Sequence, residues 1–351
     1  MRPKFQVFWV YVINLVSPVV LGALLSGCSP QRSTQDIFDN YLYRLANSLD
    51  VKRNDIEPSA VLPTYPSKRA LTYPIPPLKI NFLEFLKLSN CELQRLIGQR
   101  NSSLGKFISG YHSLLYHREF LLLAERCLAG MDKSASRYEL LQQAVNHKTT
   151  YRDELYWNAS FAGDEFRYLF SVSSQVFTPE KIADKPTDLI QALQFFNAWL
   201  GENSLDKQRL SQAYQTIEKT KWLGELRLTM TLAVNKLKRA DALIQQRLEQ
   251  RPLCYKPQVN RRFTIVKNVF YQFYIAEVQV LLSKLHQQAQ ELLALINQLQ
   301  NKQKAHPAFA TFWRQIYLEE NGEWQQFNRA IESHTLSWQT LLKQCGFLPG
   351  K

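Results

Sequence analysis

From Ile37 onward, apolar residues return every three or four positions, and this periodicity constrains the fold more than any motif in the chain. Ile37, Tyr41, Leu45, Ala46 and Leu49 fall on one face of a helix over 36–50, with Ser33 or Thr34 placed to cap it. Phe107, Ile108, Tyr111, Leu114, Leu115, Leu121 and Leu122 repeat the pattern in a helix that runs to about Leu128. The same spacing predicts helices over 81–98, 134–147, 187–200, 263–300, 307–318 and 323–344, with one long helix or two within 205–250. Twelve glycines in 351 residues leave few positions for the tight turns of an all-β fold. The expected architecture is all-α, an irregular multi-helix bundle. A helical solenoid is the minority option, because no repeat of fixed length recurs.

Two stretches break the pattern. Between Glu57 and Pro77 stand Pro58, Pro63, Pro66, Pro74, Pro76 and Pro77, which remove backbone donors and push their neighbours to extended conformations. Tyr65, Leu71, Tyr73 and Ile75 are interleaved with them, so this segment is expected to cross the body in contact with it. The aromatic-rich region 151–178 ends in Ser171 to Phe177, which alone reads as strand.

The N-terminus is of another kind. Arg2 and Lys4 precede Phe5 to Leu25, which is apolar apart from Gln6, Asn14 and Ser17. Leu25-Ser26-Gly27-Cys28 then places two small residues before a cysteine. A basic start, an apolar middle and a small-residue cleavage site make a secretory signal peptide. The closing four residues resemble the lipobox of bacterial lipoproteins. That resemblance implies a diacylglyceryl thioether on Cys28, cleavage just before it, and Cys28 as the mature N-terminus. An uncleaved membrane helix is the alternative, since 21 residues suffice to span a bilayer.

The expected organisation is a signal peptide over 1–27, a lipidated tether over 28–35, and one α-helical domain over 36–351. Any division into two subdomains would fall near 180–205. Ser29, in place of an aspartate, favours the inner leaflet of the outer membrane, facing the periplasm. The tether from Ser29 to Gln35 reaches at most about 25 Å.

The formal net charge of +13 falls to +11 when Arg2 and Lys4 are removed. Behind an export signal, nucleic acid is not the expected partner. The polyanions that remain are lipid head groups, lipopolysaccharide phosphates and cell-wall carboxylates. The basic residues are scattered, as at Arg261-Arg262, Lys236 to Arg239, Lys302 and Lys304, which fits a cationic solvated surface.

With Cys28 lipidated, Cys91, Cys127, Cys254 and Cys345 remain. An even number in an oxidising compartment points to disulfides, with three possible pairings; four buried free thiols are the alternative. Cys91–Cys127 and Cys254–Cys345 are favoured, because each pair joins helices within one part of the chain. The first pair demands a bend: its midpoint lies near Ser109-Gly110, whereas the best turn signal is at Asn101 to Gly105.

Catalytic signals are weak. His112 and His117, the only histidines close together, are five apart and so lie on different helix faces. There is no C-x-x-C, no G-x-S-x-G and no glycine-rich phosphate loop, and neither metal nor cofactor is expected. Ser103-Leu104-Gly105-Lys106 matches the S-x-x-K of penicillin-binding enzymes, but such a match arises about once by chance at this composition, and the companion K-T-G is absent. A non-enzymatic role is the expectation. Two polar groups remain as ligand candidates. Arg100, Asn101, Ser102 and Lys106 could cap a helix N-terminus or hold an anion there. Trp157 and Asn158, beside Asp164-Glu165, could form an aromatic shelf for a sugar or simply a core position.

Taken whole, the chain resembles an uncharacterised family of Gram-negative lipoproteins of unknown function. The resemblance rests on Leu25 to Cys28, on the Asp36–Asp50 helix, and on the stretch from Cys91 through Arg100-Asn101-Ser102-Ser103-Leu104-Gly105 to Cys127. It implies no reaction. The expectation is a membrane-anchored envelope protein that binds a protein partner or supports an envelope assembly. The alternatives are a binding module for an anionic ligand such as lipopolysaccharide or a wall fragment and, further off, a cell-wall hydrolase.

Overall fold

A computed structural model describes residues 32–53, 62–78, 91–102, 110–200 and 206–347. The expected signal peptide, Cys28, Ser103 and Lys106 lie outside the described residues. Among those described, helices joined by turns and extended loops make the whole fold, with no strand. No helix of the described residues is long and apolar enough to cross a membrane.

Helix α1 (Thr34–Leu49) starts where a reciprocal cap forms. Ser33 Oγ accepts from the Asp36 amide at 3.1 Å, and the Asp36 carboxylate accepts from the Ser33 amide at 3.0 Å. Its apolar face, Phe38, Tyr41, Leu42, Leu45 and Leu49, is buried against α11 (Trp222–Gln250), the longest helix. The carboxyl end is closed by Asp50 in a left-handed conformation (φ 59°). Two arginines then reach its last carbonyls: Arg262 Nη1 to Ser48 O at 3.3 Å and Arg247 Nη1 to Leu49 O at 3.2 Å.

Next in the chain, α2 (Lys68–Leu71) is a single turn within the proline-rich segment, whose described part, 62–77, lies along the body as expected. Tyr65 stacks on Phe170 at 4.7 Å and donates to Phe161 O at 2.7 Å. Asn158 pairs with both backbone groups of Tyr73, at 2.8 and 2.9 Å. Extended backbone that cannot satisfy itself is thus satisfied by side chains of the body.

Helices α3 (Leu93–Asn101), α4 (Gly110–Ala129) and α5 (Ser136–Thr150) bury a small hydrophobic cluster of their own, around Leu93, Ile97, Phe120 and Leu141. Cys91 and Cys127 are bridged across it, with Cα atoms 5.8 Å apart. The aromatic region then breaks into α6 (Arg152–Ala159) and α7 (Asp164–Leu169). Ser171 to Phe177 continues as extended loop, with no partner strand. The Phe177 amide bonds Thr229 Oγ1 at 2.9 Å, and the loop crosses α11 so closely that only Gly224 leaves room for the Ser171 carbonyl.

After α8 (Pro179–Ala183) and α9 (Thr187–Trp199), the 205–250 region resolves into two helices, α10 (Lys207–Glu218) and α11. The last long stretch is α12 (Arg261–Val269), a π-helical segment (Phe270–Gln279) and α13 (Val280–Asn301). It runs antiparallel to α1, so that Arg32 pairs with Glu277 at 2.9 Å at one end while Arg262 meets Ser48 at the other. Helix α14 (Pro307–Trp313), a second π segment (Arg314–Leu318) and α15 (Glu323–Lys343) complete the body, and α15 packs along α11. Cys254–Cys345 joins the loop after α11 to the end of α15, with Cα atoms 5.2 Å apart. The main hydrophobic core is continuous from Phe38 to Cys345 and includes residues on both sides of 180–205.

Candidate functional site

The residues singled out in the sequence take positions of several kinds. Arg100 and Asn101 sit in the last turn of α3 and Ser102 closes it, so these three form the carbonyl end of a helix. Accordingly Asn101 donates to Ile97 O at 3.1 Å and Ser102 to Gln99 O at 2.7 Å. Arg100 lies over the Tyr116 ring at 5.6 Å. Its charge, with burial the larger cause, pushes the Lys148 ammonium down to about 8. Lys148 in turn stands 3.0 Å from His117 Nδ1, and burial and these cations keep His117 well below its ordinary range. Such a cluster can attract an anion, but it draws on α4 and α5, not on the sequence neighbours of Arg100.

Trp157 is fully buried, bonded through Nε1 to Leu71 O at 2.8 Å and stacked on Phe161 at 4.7 Å. Its faces belong to the core, and Asn158 is engaged with Tyr73, so the pair forms no open shelf. Asp164 is held by Lys68 and Arg167. Beside it, Glu165 has its carboxyl raised, mainly by burial.

Two polar constellations appear that the sequence did not announce. In the first, His334, 0% exposed, links Asp241 and Tyr41: Nδ1 lies 2.6 Å from Asp241 Oδ1 and Nε2 lies 2.7 Å from the Tyr41 hydroxyl. Trp338 Nε1 donates to that hydroxyl at 2.9 Å. The order carboxylate, imidazole, hydroxyl is that of a hydrolase catalytic triad. Here, however, the hydroxyl is a tyrosine sealed among Tyr274, His334 and Trp338, with burial lifting its pKa well above the ordinary value. The bonded side chains fasten α1, α11 and α15 to one another.

The second constellation lines a cleft of about 290 Å³ between α11 and the turn that leads into α15. Thr231, Asn235 and Lys238 face Gln315, Asn321 and Gln326 across it, with Pro63 at its edge. Its wall is braced by Arg227, 1% exposed, which donates through Nε and Nη2 to Glu323 at 2.8 and 2.6 Å and from Nη2 to Pro63 O at 2.8 Å. Hydroxyl, amide, ammonium and carboxylate groups converging in a small cleft suit a polar, multiply hydrogen-bonded ligand. Gln315 belongs to a π segment, a local irregularity frequent at functional sites. The one advance signal was Arg227 itself, a charge inside the apolar stripe Leu223, Leu226, Met230 of α11. His334 gave none. Among the described residues no three His, Cys, Asp or Glu side chains converge as a metal site would require.

Fold and site together define an all-α, doubly disulfide-bridged domain with buried polar braces and a small polar cleft. The chain belongs to a family of proteins of unknown function, DUF3080, whose model matches residues 38–349. Comparisons with curated proteins and with solved structures found no match.

Proposed function

We propose that this protein is an exported lipoprotein of the Gram-negative envelope, anchored by lipid on Cys28, whose α-helical body serves as a non-enzymatic interaction module on the periplasmic face of the outer membrane. The observation that carries the reading is the state of the cysteines. The four that follow Cys28 form two bridges, Cys91–Cys127 and Cys254–Cys345, and bridges of this kind persist in oxidising compartments. That supports export independently of Leu25-Ser26-Gly27-Cys28, and it sets Cys28 apart as the cysteine placed for another use. An acyl-modified cysteine with two or more chains holds a protein stably at a membrane.

The test compares wild type with Cys28→Ala by intact mass and membrane fractionation, followed by crosslinking in cells. Lipid mass and membrane association should both vanish in the variant, and reduction should add about 4 Da, two hydrogens per bridge. A wild type without lipid mass, or a Cys28→Ala chain that stays membrane-bound, would replace the lipid anchor with a membrane helix. Failure to crosslink a defined envelope protein under several growth conditions would remove the interaction module.

A further inference from the structure

Where α1 ends, the fold gathers positive charge. Residues 50–53 and 247–262 hold seven basic side chains against two acidic ones, Asp50 and Glu249. Asp50 is already engaged by Arg251 and, at 3.7 Å, by Arg262. Arg247 is buried, committed to Leu49 O and Pro252 O, and held below the usual guanidinium value by burial and by Arg251 and Arg262. Lys52, Lys256 and Arg261 remain exposed, with no ion pair among the described residues.

From this cationic ground the loop 252–260 projects, pinned at both ends. Cys254 is bridged to Cys345, and the Leu253 amide bonds Gln344 Oε1 at 2.8 Å. Asn260 donates to Leu253 O at 3.0 Å and accepts from the Phe263 amide at 2.8 Å. Between the pins, Tyr255 is 85% exposed and Val259 64%, the two most exposed large apolar side chains among the described residues. A loop fastened this firmly cannot fold its apolar tips back into the core. Each stays in water at a cost of about 25 cal/mol per Å² until something covers it.

We propose that this stapled loop docks on a phosphate-bearing lipid surface. Tyr255 and Val259 enter the head-group layer, while Lys52, Lys256 and Arg261 meet the phosphates. An acidic wall polymer would satisfy the cations but offers no apolar layer for Val259, whereas a lipid surface supplies both. A tyrosine at the water–lipid boundary buries its ring and keeps its hydroxyl wet. The inference does not depend on Cys28. Arg32 stands at the opposite end of the 16-residue α1, about 24 Å away by helical rise.

The experiment seats the full chain, by whatever anchors its N-terminus, in phosphatidylcholine nanodiscs and measures capture of labelled vesicles by flotation. Acyl chains on Cys28 or an uncleaved apolar segment 5–25 would each hold the chain, so failure of the anchor reading leaves this assay intact. Vesicles of phosphatidylglycerol and phosphatidylcholine in equal parts should be captured, pure phosphatidylcholine should not, and added salt should weaken capture. Lys256→Glu with Arg261→Glu should lower affinity at least about thirtyfold, and Tyr255→Ser with Val259→Ser about tenfold. All four side chains are exposed, and unchanged circular dichroism and non-reducing mass would show that the fold survives. Equal capture of neutral vesicles, or capture indifferent to both pairs of substitutions, overturns the proposal. So does displacement by inorganic phosphate at constant ionic strength, or binding to cell-wall sacculi without vesicle capture.

Discussion

Gly224→Ala should destabilise this protein although it places a better helix former inside its longest helix. Intrinsic propensity favours alanine over glycine by about 1 kcal/mol in a helix interior. Tertiary structure opposes it: a Cβ at 224 would lie 1.9 Å from the Ser171 carbonyl oxygen, 3.0 Å from its carbon and 3.1 Å from the Ser173 amide nitrogen. A carbon–oxygen contact needs about 3.3 Å, so the 171–173 backbone must retreat by more than an ångström. The atoms that clash belong to main chain, not to a side chain that can swing aside. The loop is also held by the bond from the Phe177 amide to Thr229. Overpacking of this kind costs about 3 kcal/mol, leaving a net loss of about 2 kcal/mol. Far-UV circular dichroism in urea and on heating should register that loss as a fall in Tm of about 3 °C. Gly98 supplies the control: it lies in α3 with nothing within 4 Å of its Cβ position, so Gly98→Ala should gain about 0.5–1 kcal/mol. A Gly224→Ala protein as stable as wild type would refute the close approach of loop and helix.

The buried ion pair gives a second expectation. Arg227→Met strands Glu323 and should cost about 3–5 kcal/mol, whereas Arg227→Met combined with Glu323→Leu should recover most of it, both read by urea denaturation. Lys148 gives a pH dependence. Its folded-state pKa, about 8, lies below the ordinary 10.5 because of burial and Arg100. Below about pH 8 both states are protonated and the fold bears the full cost of the buried charge. As pH climbs from about 8 towards 10.5 the folded protein releases the proton first, so stability should rise across that window. An NMR titration of methyl-labelled lysines should find one amine near 8 that Lys148→Met abolishes; an ordinary midpoint for that amine would refute the assignment.

Much of the architecture could be read in the order of residues. Helical spacing announced α1 and the stretches that became α9, α12–α13 and α15, because a helix that buries one face must repeat its apolar residues with the helical period. The proline run was legible as extended backbone, since a missing donor and a fixed φ act locally whatever the fold. The apparent strand at Ser171 to Phe177 was local preference with nothing to pair with. A ladder needs a second strand, and the described residues hold none.

The candidate sites were far less legible. Arg100 to Ser102 carried capping residues, but which end of a helix they serve depends on where α3 begins. Trp157 read equally well as shelf or core, and only the packing of Phe161 and Phe309 around it decides for core. By itself, then, the sequence determined an all-α body, a proline-rich strap and an even set of four cysteines behind an export-like leader. Only the tertiary structure decided that Asp241 reaches His334, that Arg227 reaches Glu323, and that Arg251 reaches Asp50. Those partners are brought together from distant parts of the chain. Periodicity records which face of a helix is apolar, not which distant polar group that face will meet.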